Sequence, residues 1–402
     1  MQRWYYKMKK TLMNKNTVIM TIEYNPKYNT IDKIYEINNI LHAPLSVLNA
    51  SNNKSGNVLK TLNSWFKGRG IPSWRKDLEK LLMRLNVSTT EELLDKAYGL
   101  SLSDQYWFKE ENSNITYKDI NFFTNDFEYE AYLEASLDSS NNETKINKAM
   151  LKSPNNTTDG MLQKGWIIEN NKRVLVKGTY SASREEPFNE TLASMISKAL
   201  GLFYCDYRVE WLDEKLVSKC DDFINEDEEI ITAYDIFNSR KKPNNINDYE
   251  FYVKILEDNK VYEARKNVAS MFLVDYLMLN SDRHLKNFGI IRNVNTLEWV
   301  RTTPIFDTGE AMECDKFTYN MCFTKGSGKF FNNINKDYEE ILNVIKPDLK
   351  DIDFSKLDGV VGEYKKLLLK YQAKLEISDK RIECLVNGLK TRIELLKENM
   401  NI

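Results

Sequence analysis

Apolar positions along this chain recur with two periods, and the change of period divides it. Residues 17–24, rich in β-branched side chains, predict a short strand. Ile31, Ile34, Ile37 and Leu41 then fall at helical spacing, as do Leu78, Leu81, Leu82 and Leu85. Residues 1–140 therefore predict a mainly helical region after one strand. Residues 50–56 read as a loop, and the polar run 138–146 reads as a linker at a domain boundary. Past it the pattern turns to strands. Residues 166–178 predict a hairpin, with Asn170 and Asn171 tolerating the positive φ of a tight turn. Leu192, Met195, Ile196 and Ala199 share a helix face that ends near Gly201, a C-cap residue. Residues 207–211 and 216–218 predict strands, so 147–224 form a small β-rich unit with one helix. From 225 to 402 the pattern is mostly helical. Its clearest helix covers 261–279, with Val261, Ala264, Val268, Met271, Phe272 and Tyr276 in phase. Ile382, Leu385, Leu389, Ile393 and Leu396 form a stripe that suits packing inside a helical domain better than a coiled coil. The expected fold class is α+β.

Composition narrows the function classes. A chain of 402 residues allows two or three domains, and a hydrophobic fraction of 42% with 29% charged residues is globular. The formal net charge of −2 gives no global reason to expect a nucleic-acid or membrane partner. Arg3, Lys7, Lys9 and Lys10 read as a solvated basic tail. No run of about 18 apolar residues predicts a membrane-spanning helix. The five cysteines are widely spaced with no CxxC pair, which predicts reduced thiols and a cytoplasmic location.

The candidate chemistry lies in residues 280–309. Asp282 follows the long predicted helix, and Asn287 comes five residues later. Asp307 comes after a predicted strand pair, 288–291 and 297–300, turning at 293–295. A hairpin returns the chain to its start, so Asp307 can approach Asn287. One carboxylate can position an acceptor hydroxyl and take its proton. An amide oxygen and a second carboxylate can hold Mg²⁺ against the phosphates of ATP. Lys177 ends the apolar strand 174–176, where a charge needs a partner. Glu190 in the next helix is the natural one, with Glu186 as the alternative. Residues 153–160 contain neither GxGxxG nor a Walker A motif. Their amides and hydroxyls, at Thr158 and Gly160 among others, could still form an anion-binding nest. His284 and Arg283 flank Asp282, and His284 is a candidate phosphate contact. Cys220-Asp221-Asp222-Phe223 lies where a hinge would offer backbone groups to adenine.

Asp282-Arg283-His284-Leu285-Lys286-Asn287 resembles the D-R-H-x-x-N loop of the phosphatidylinositol 3-/4-kinase-like superfamily. The order Lys177, Asn189-Glu190, Asp282 to Asn287, then Phe306-Asp307 is similar to HipA-like Ser/Thr protein kinases, in particular stand-alone bacterial HipA-domain proteins. The resemblance covers roughly 150–325. It implies a two-lobed kinase fold, a small β-rich N-lobe over 147–224 and a helical C-lobe over 225–402. It also implies Lys177 on the α/β-phosphates, Asp282 as catalytic base, His284 near the nucleotide, and Asn287 and Asp307 on Mg²⁺. Further implications are a protein substrate with a Ser or Thr acceptor, an antitoxin-like partner, a toxin-type growth role, and self-phosphorylation at Ser153, Thr157 or Thr158. Residues 1–140 do not resemble the small β-rich domain of full-length HipA toxins, which weakens the expectation of an antitoxin partner and of the usual substrate, an aminoacyl-tRNA synthetase. Asp307 is followed by Thr308-Gly309 rather than Phe-Gly; a metal ligand needs only the Asp. A lipid or small-molecule kinase, and a nucleotide-binding pseudokinase, are the alternative readings.

Overall fold

The computed structural model describes residues 7–73, 78–130, 132–133, 151–157, 164–331 and 334–401. The linker expected at 138–146 lies outside these residues.

Four antiparallel strands open the chain: β1 (Met8–Asn14), β2 (Thr17–Asn25), β3 (Thr30–Ile37) and β4 (Tyr106–Glu110), in the order β3-β2-β1-β4. Helices α1 (Leu45–Asn52), α2 (Val58–Gly68), α3 (Leu78–Arg84), α4 (Thr90–Lys96) and the single turn α5 (Tyr117–Ile120) belong to the same region. Leu12, Met20, Ile22, Tyr24 and Ile31 bury one face of the sheet with Leu62 and Phe66 of α2. The helical reading of Ile31, Ile34 and Ile37 is corrected here, because these residues form β3. Ile37 pairs with Met20, Ile34 with Ile22 and Ile31 with Tyr24, with a register shift in each interval. Each bulge adds one residue to β3. A two-residue period on β2 is thereby matched by a three-residue period on β3, which imitates a helix.

The second sheet has the order β5-β6-β8-β7, all antiparallel, from β5 (Lys164–Glu169), β6 (Lys172–Lys177), β7 (Arg208–Leu212) and β8 (Lys215–Asp221). Asn170 and Asn171 supply the left-handed turn at φ 51° and 61°. Helix α6 (Glu186–Leu200) packs on this sheet and ends at Gly201, where φ is +66°. These elements form the N-lobe.

The C-lobe is built round α9 (Ala264–Met278), which follows β9 (Glu228–Thr232), α7 (Ala233–Phe237) and α8 (Asp248–Asp258). Every residue of α9 from Val268 to Met278 is buried, so this helix is the axis of the lobe. β10 (Gly289–Asn293) and β11 (Trp299–Thr302) join β9 in a three-stranded sheet. A hairpin, β12 (Ser327–Lys329) and β13 (Asn335–Asp337), precedes α10 (Tyr338–Ile345), α11 (Asp358–Leu375) and α12 (Asp379–Met400). The stripe Ile382, Leu385, Leu389, Ile393 and Leu396 is buried within this lobe, and α12 packs on α9. Among the described residues no helix is long and apolar enough to cross a membrane.

A buried polar joint fastens the first sheet to the C-lobe. Arg292 of β10 donates from Nε to Glu229 of β9 at 2.6 Å and from Nη2 to the Tyr106 hydroxyl of β4 at 3.1 Å. Asn14 of β1 donates to the other Glu229 oxygen at 3.3 Å. Gln105 donates to the carbonyl of Glu228 at 2.7 Å, and Lys15 pairs with Asp227. Burial pushes the Glu229 carboxyl up, and Arg292 opposes that push. Removing one partner leaves a buried charge uncompensated. Arg292→Ala should therefore lower unfolding free energy by about 3–5 kcal/mol in chemical denaturation. The pair Arg292→Met with Glu229→Gln should recover part of the loss.

Candidate active site

Antiparallel pairing of β6 with β8 sets Lys177 opposite Ser218, at the strand end that faces α6. The residue is 2% exposed, and its ammonium reaches three groups. It donates to Glu190 Oε1 at 2.5 Å, to Asp307 Oδ1 at 2.8 Å and to the Tyr207 hydroxyl at 3.3 Å. Glu190 accepts from the Ser218 hydroxyl through its other oxygen. Glu190, and not Glu186, is the carboxylate that pairs with Lys177 in this structure. Glu186 instead accepts backbone N–H groups from Tyr180 and Ser181. Burial works against the Lys177 charge, but Asp307 and Glu190 outweigh it and raise its pKa. Burial raises Glu190 against the pull of Lys177. Burial also opposes ionisation of Asp307, yet Lys177 and Lys164 hold its carboxyl well below the usual range.

Asp282 and Asn287 share a loop whose shape is set by Arg283. That guanidinium is 1% exposed. It grips Asp275 of α9 with Nε at 2.8 Å and Nη2 at 2.9 Å. Its Nη1 donates to the carbonyls of Asn287 at 2.9 Å and Phe306 at 2.6 Å. Asn280 donates to Asp275 at 2.7 Å and accepts the Asp282 N–H at 3.3 Å. Helix end, loop and the segment leading into Asp307 thus meet at one cation. Asn287 donates its amide N–H to the Asp282 carbonyl at 3.0 Å, leaving Oδ1 without a protein donor among the described residues. Asp307 sits at φ 56°, a left-handed conformation that Asp tolerates better than most residues. The loop after it is tied to α6 by Asn189, whose amide donates to the carbonyls of Gly309 and Ala311, both at 2.8 Å. Among the described residues no group of three His, Cys, Asp or Glu is built to hold a metal alone. Asn287 Oδ1 and the Asp307 carboxylate are oxygen donors that could hold a Mg²⁺, which would complete its shell with water and phosphate oxygens.

The remaining expected site residues fall out differently. His284 Nε2 lies 3.8 Å from Asp282 Oδ2, and its Nδ1 accepts the Lys286 N–H at 3.3 Å. Phe223 packs against Phe306 with centroids 5.5 Å apart, beside Leu175, Cys205 and Cys220. The two rings are tilted by 38° and form an apolar cluster with these neighbours. The Asp221 carboxylate is not part of the lysine cluster; it pairs with Lys172 and with Arg208 at 3.3 Å. Ser153 is buried and donates to the Glu128 carbonyl at 2.8 Å, and Thr157 donates to the Pro154 carbonyl at 2.9 Å. Those hydroxyls are committed to the fold rather than to a nest. Thr158 and Gly160 lie outside the described residues. Tyr207, Ser218 and Asn189 belong to the site, although sequence reasoning gave the first two no role. A tyrosine in a predicted strand shows no sign that its hydroxyl reaches a lysine across the sheet.

A β-rich lobe with one helix, a helical lobe, and a lysine ion pair between them define a two-lobed, protein-kinase-like fold. Residues 146–352 match the HipA-like C-terminal domain family, and the chain belongs to that family. The serine/threonine-protein kinase CtkA of Helicobacter pylori strain J99 is 27% identical over 181 residues, covering 42% of this chain and 52% of that protein. The chain thus spans about half the length of this curated relative. The crystal structure of the H. pylori proinflammatory kinase CtkA aligns over 59% of this chain and 94% of its own, at 19% identity and a TM-score of 0.44. HipA of Shewanella oneidensis MR-1, solved with HipB and operator DNA, aligns over 98% of this chain and 99% of its own, at 14% identity and a TM-score of 0.55. That likeness of fold extends through the N-terminal region, so the expected dissimilarity of residues 1–140 to HipA is corrected.

Both histidines of the chain are held below their ordinary value of 6.5. Burial is the main cause at each. Arg292 adds to it at His42, whereas Asp282 and Asp307 oppose it at His284. A folded-state pKa below the unfolded one means that the unfolded chain takes up protons first as pH falls. Stability should therefore be intact above pH 6.5 and decline below it. The two imidazole signals, followed by NMR, should titrate below 6.5, and the melting temperature should fall over the same range.

Proposed function

We propose that this protein is an ATP- and Mg²⁺-dependent HipA-like kinase that phosphorylates Ser or Thr on a protein substrate. The observation that carries the reading is the convergence of Lys177, Glu190 and Asp307 with the Arg283-held loop bearing Asp282 and Asn287. Lys177 binds the α/β-phosphates and is oriented by Glu190. Asn287 Oδ1 and Asp307 hold the Mg²⁺, which neutralises charge on the phosphates when bound. Asp282 takes the proton of the acceptor hydroxyl. His284 stands beside Asp282 at the phosphate end, and the Phe223–Phe306 cluster receives the base, with backbone groups near Asp221 at its edge. Catalysis is then positioning and electrostatics. Family membership, the kinase CtkA as a relative and the two-lobed fold support this reading.

Self-phosphorylation at Ser153, Thr157 or Thr158 is part of this reading, and at Ser153 or Thr157 it would require release of a hydroxyl that is hydrogen-bonded in this structure. An antitoxin-like protein partner is the corresponding reading for the N-terminal region, supported by the reach of the fold likeness to HipA. A net charge of −2 lends no support to direct DNA contact.

Incubation with γ-labelled ATP and Mg²⁺ tests the proposal. Wild-type protein should transfer label to Ser or Thr of itself or of a protein substrate. Asp282→Asn should lower the rate at least about 100-fold, the scale of a lost general base, with an unchanged melting temperature. Asp307→Asn should also abolish transfer but with some loss of stability, because buried Lys177 loses one of its two carboxylates. Transfer at the wild-type rate by either variant would sink the assignment. Nucleotide binding without transfer to any acceptor would make the protein a pseudokinase, and label on a lipid or metabolite would move it to the small-molecule kinases.

A further inference from the structure

Asp282 has a partner that neither its loop nor the lysine cluster supplies. Lys329, the last residue of β12, donates from Nζ to Asp282 Oδ1. Lys329 is 27% exposed and Asp282 33%, so the pair sits at the cleft edge rather than in the core. The hairpin that carries Lys329 is fixed independently of this pair. The Tyr338 N–H donates to the Gly326 carbonyl at 3.0 Å, and the Tyr338 hydroxyl donates to the Asn280 carbonyl. A Cβ on Gly328 would lie 2.5 Å from the Tyr338 hydroxyl and 3.0 Å from the Asn280 carbonyl, so only glycine lets the strand lie this close to the loop. Asn280 also accepts the Asp282 N–H. One residue therefore braces both the carboxylate and the strand that delivers its cation.

We propose that Lys329 is a positioning residue for phosphoryl transfer. It holds Asp282 through Oδ1, so that Oδ2, on the His284 side, is presented to the acceptor hydroxyl. In the step itself, the acceptor oxygen forms its bond to the γ-phosphorus as the bond to the β–γ bridging oxygen breaks. The acceptor proton passes to Asp282 Oδ2, and the bridging electron pair leaves on ADP. A carboxylate free to rotate would meet the hydroxyl in a productive orientation less often, and a misplaced general base forfeits much of its effect. Lys329 touches the base rather than the nucleotide, so its influence belongs in kcat and not in nucleotide affinity. This inference rests on the kinase reading.

The test uses the full chain with Lys329→Met, which keeps most of the apolar stem, and Lys329→Arg, which keeps the charge. Three quantities are read: kcat, the affinity for ATP·Mg²⁺ by calorimetry, and melting temperature. Lys329→Met should lose about 10- to 100-fold in kcat, part of the general-base contribution, with ATP affinity within twofold of wild type. Lys329→Arg should regain most of the rate. A Lys329→Met enzyme at the wild-type rate overturns the proposal and leaves the kinase reading standing. So does a faster one, which would show the contact to be a brake. A parallel fall in ATP affinity and melting temperature, unrelieved by arginine, would reduce Lys329 to a structural role and overturn it too. A wild-type protein that neither binds ATP nor transfers phosphate would remove the kinase reading, and this inference with it.

Discussion

The site is organised by one buried guanidinium. Arg283 has no access to water, so each of its donors must find an oxygen within the protein. Asp275 neutralises it through two parallel hydrogen bonds, and the carbonyls of Asn287 and Phe306 take the remaining face. These four bonds fix the end of α9, the exit of the loop and the approach to Asp307 relative to one another. A lysine could not reproduce this, since a single ammonium lacks the planar fork that reaches all three segments. The separation of Asp282, Asn287 and Asp307 follows from that fork. A buried ion pair adds little net stability against an apolar replacement. What this one supplies is geometry.

Around this anchor, charge is shared rather than paired off. Lys177 serves two carboxylates, and their ionisation differs because their surroundings differ. Glu190 is enclosed and burial raises it, whereas Asp307 lies at the cleft and is held ionised by Lys177 and Lys164. Under the proposed mechanism that asymmetry suits the division of labour. An orienting carboxylate needs only its lysine, while a metal ligand must be charged when the cation arrives. The left-handed backbone at Asp307 turns its carboxylate back toward Lys177, and Asn189 pins the chain immediately beyond.

Much of this was legible in the amino-acid order. The hairpin of β5 and β6, the α6 cap at Gly201, the long helix leading into Asp282 and the Lys177–Glu190 partnership all follow from periodicity, turn chemistry and the cost of a lone buried lysine. These are local signals, each complete within about 15 residues. The misreading of Ile31, Ile34 and Ile37 has a definite cause. Two bulges in β3 changed its spacing from two to three, and bulges depend on the neighbouring strand. Arg283 was seen only as a flank of Asp282, because sequence does not distinguish a buried arginine from an exposed one. Tyr207 and Ser218 escaped for a related reason. Ser218 takes its place from the register of β8 with β6, and Tyr207 from the segment before β7, where its N–H donates to Ser194 of α6 at 2.9 Å; neither is a property of a single segment. β9 was also missed: its two glutamates look solvated in sequence, yet Glu229 is buried against Arg292.

The polar joint between β4, β9 and β10 has a bearing on how the molecule can be divided. β10 begins two residues after Asn287, so Arg292 and the amide assigned to the metal lie on one short length of chain. The first sheet supplies Tyr106 and Asn14 to the network that holds Arg292. It therefore acts as a lateral wall of the catalytic lobe and not as an appended module. A boundary drawn by family likeness at residue 146 marks where the kinship becomes recognisable. It does not mark a place where the protein can be cut, because the smaller piece would strip Tyr106 and Asn14 from the buried Arg292–Glu229 pair, and Arg292 lies on the strand that continues from the loop. A partner that grips the first sheet would, by the same path, have mechanical access to the site.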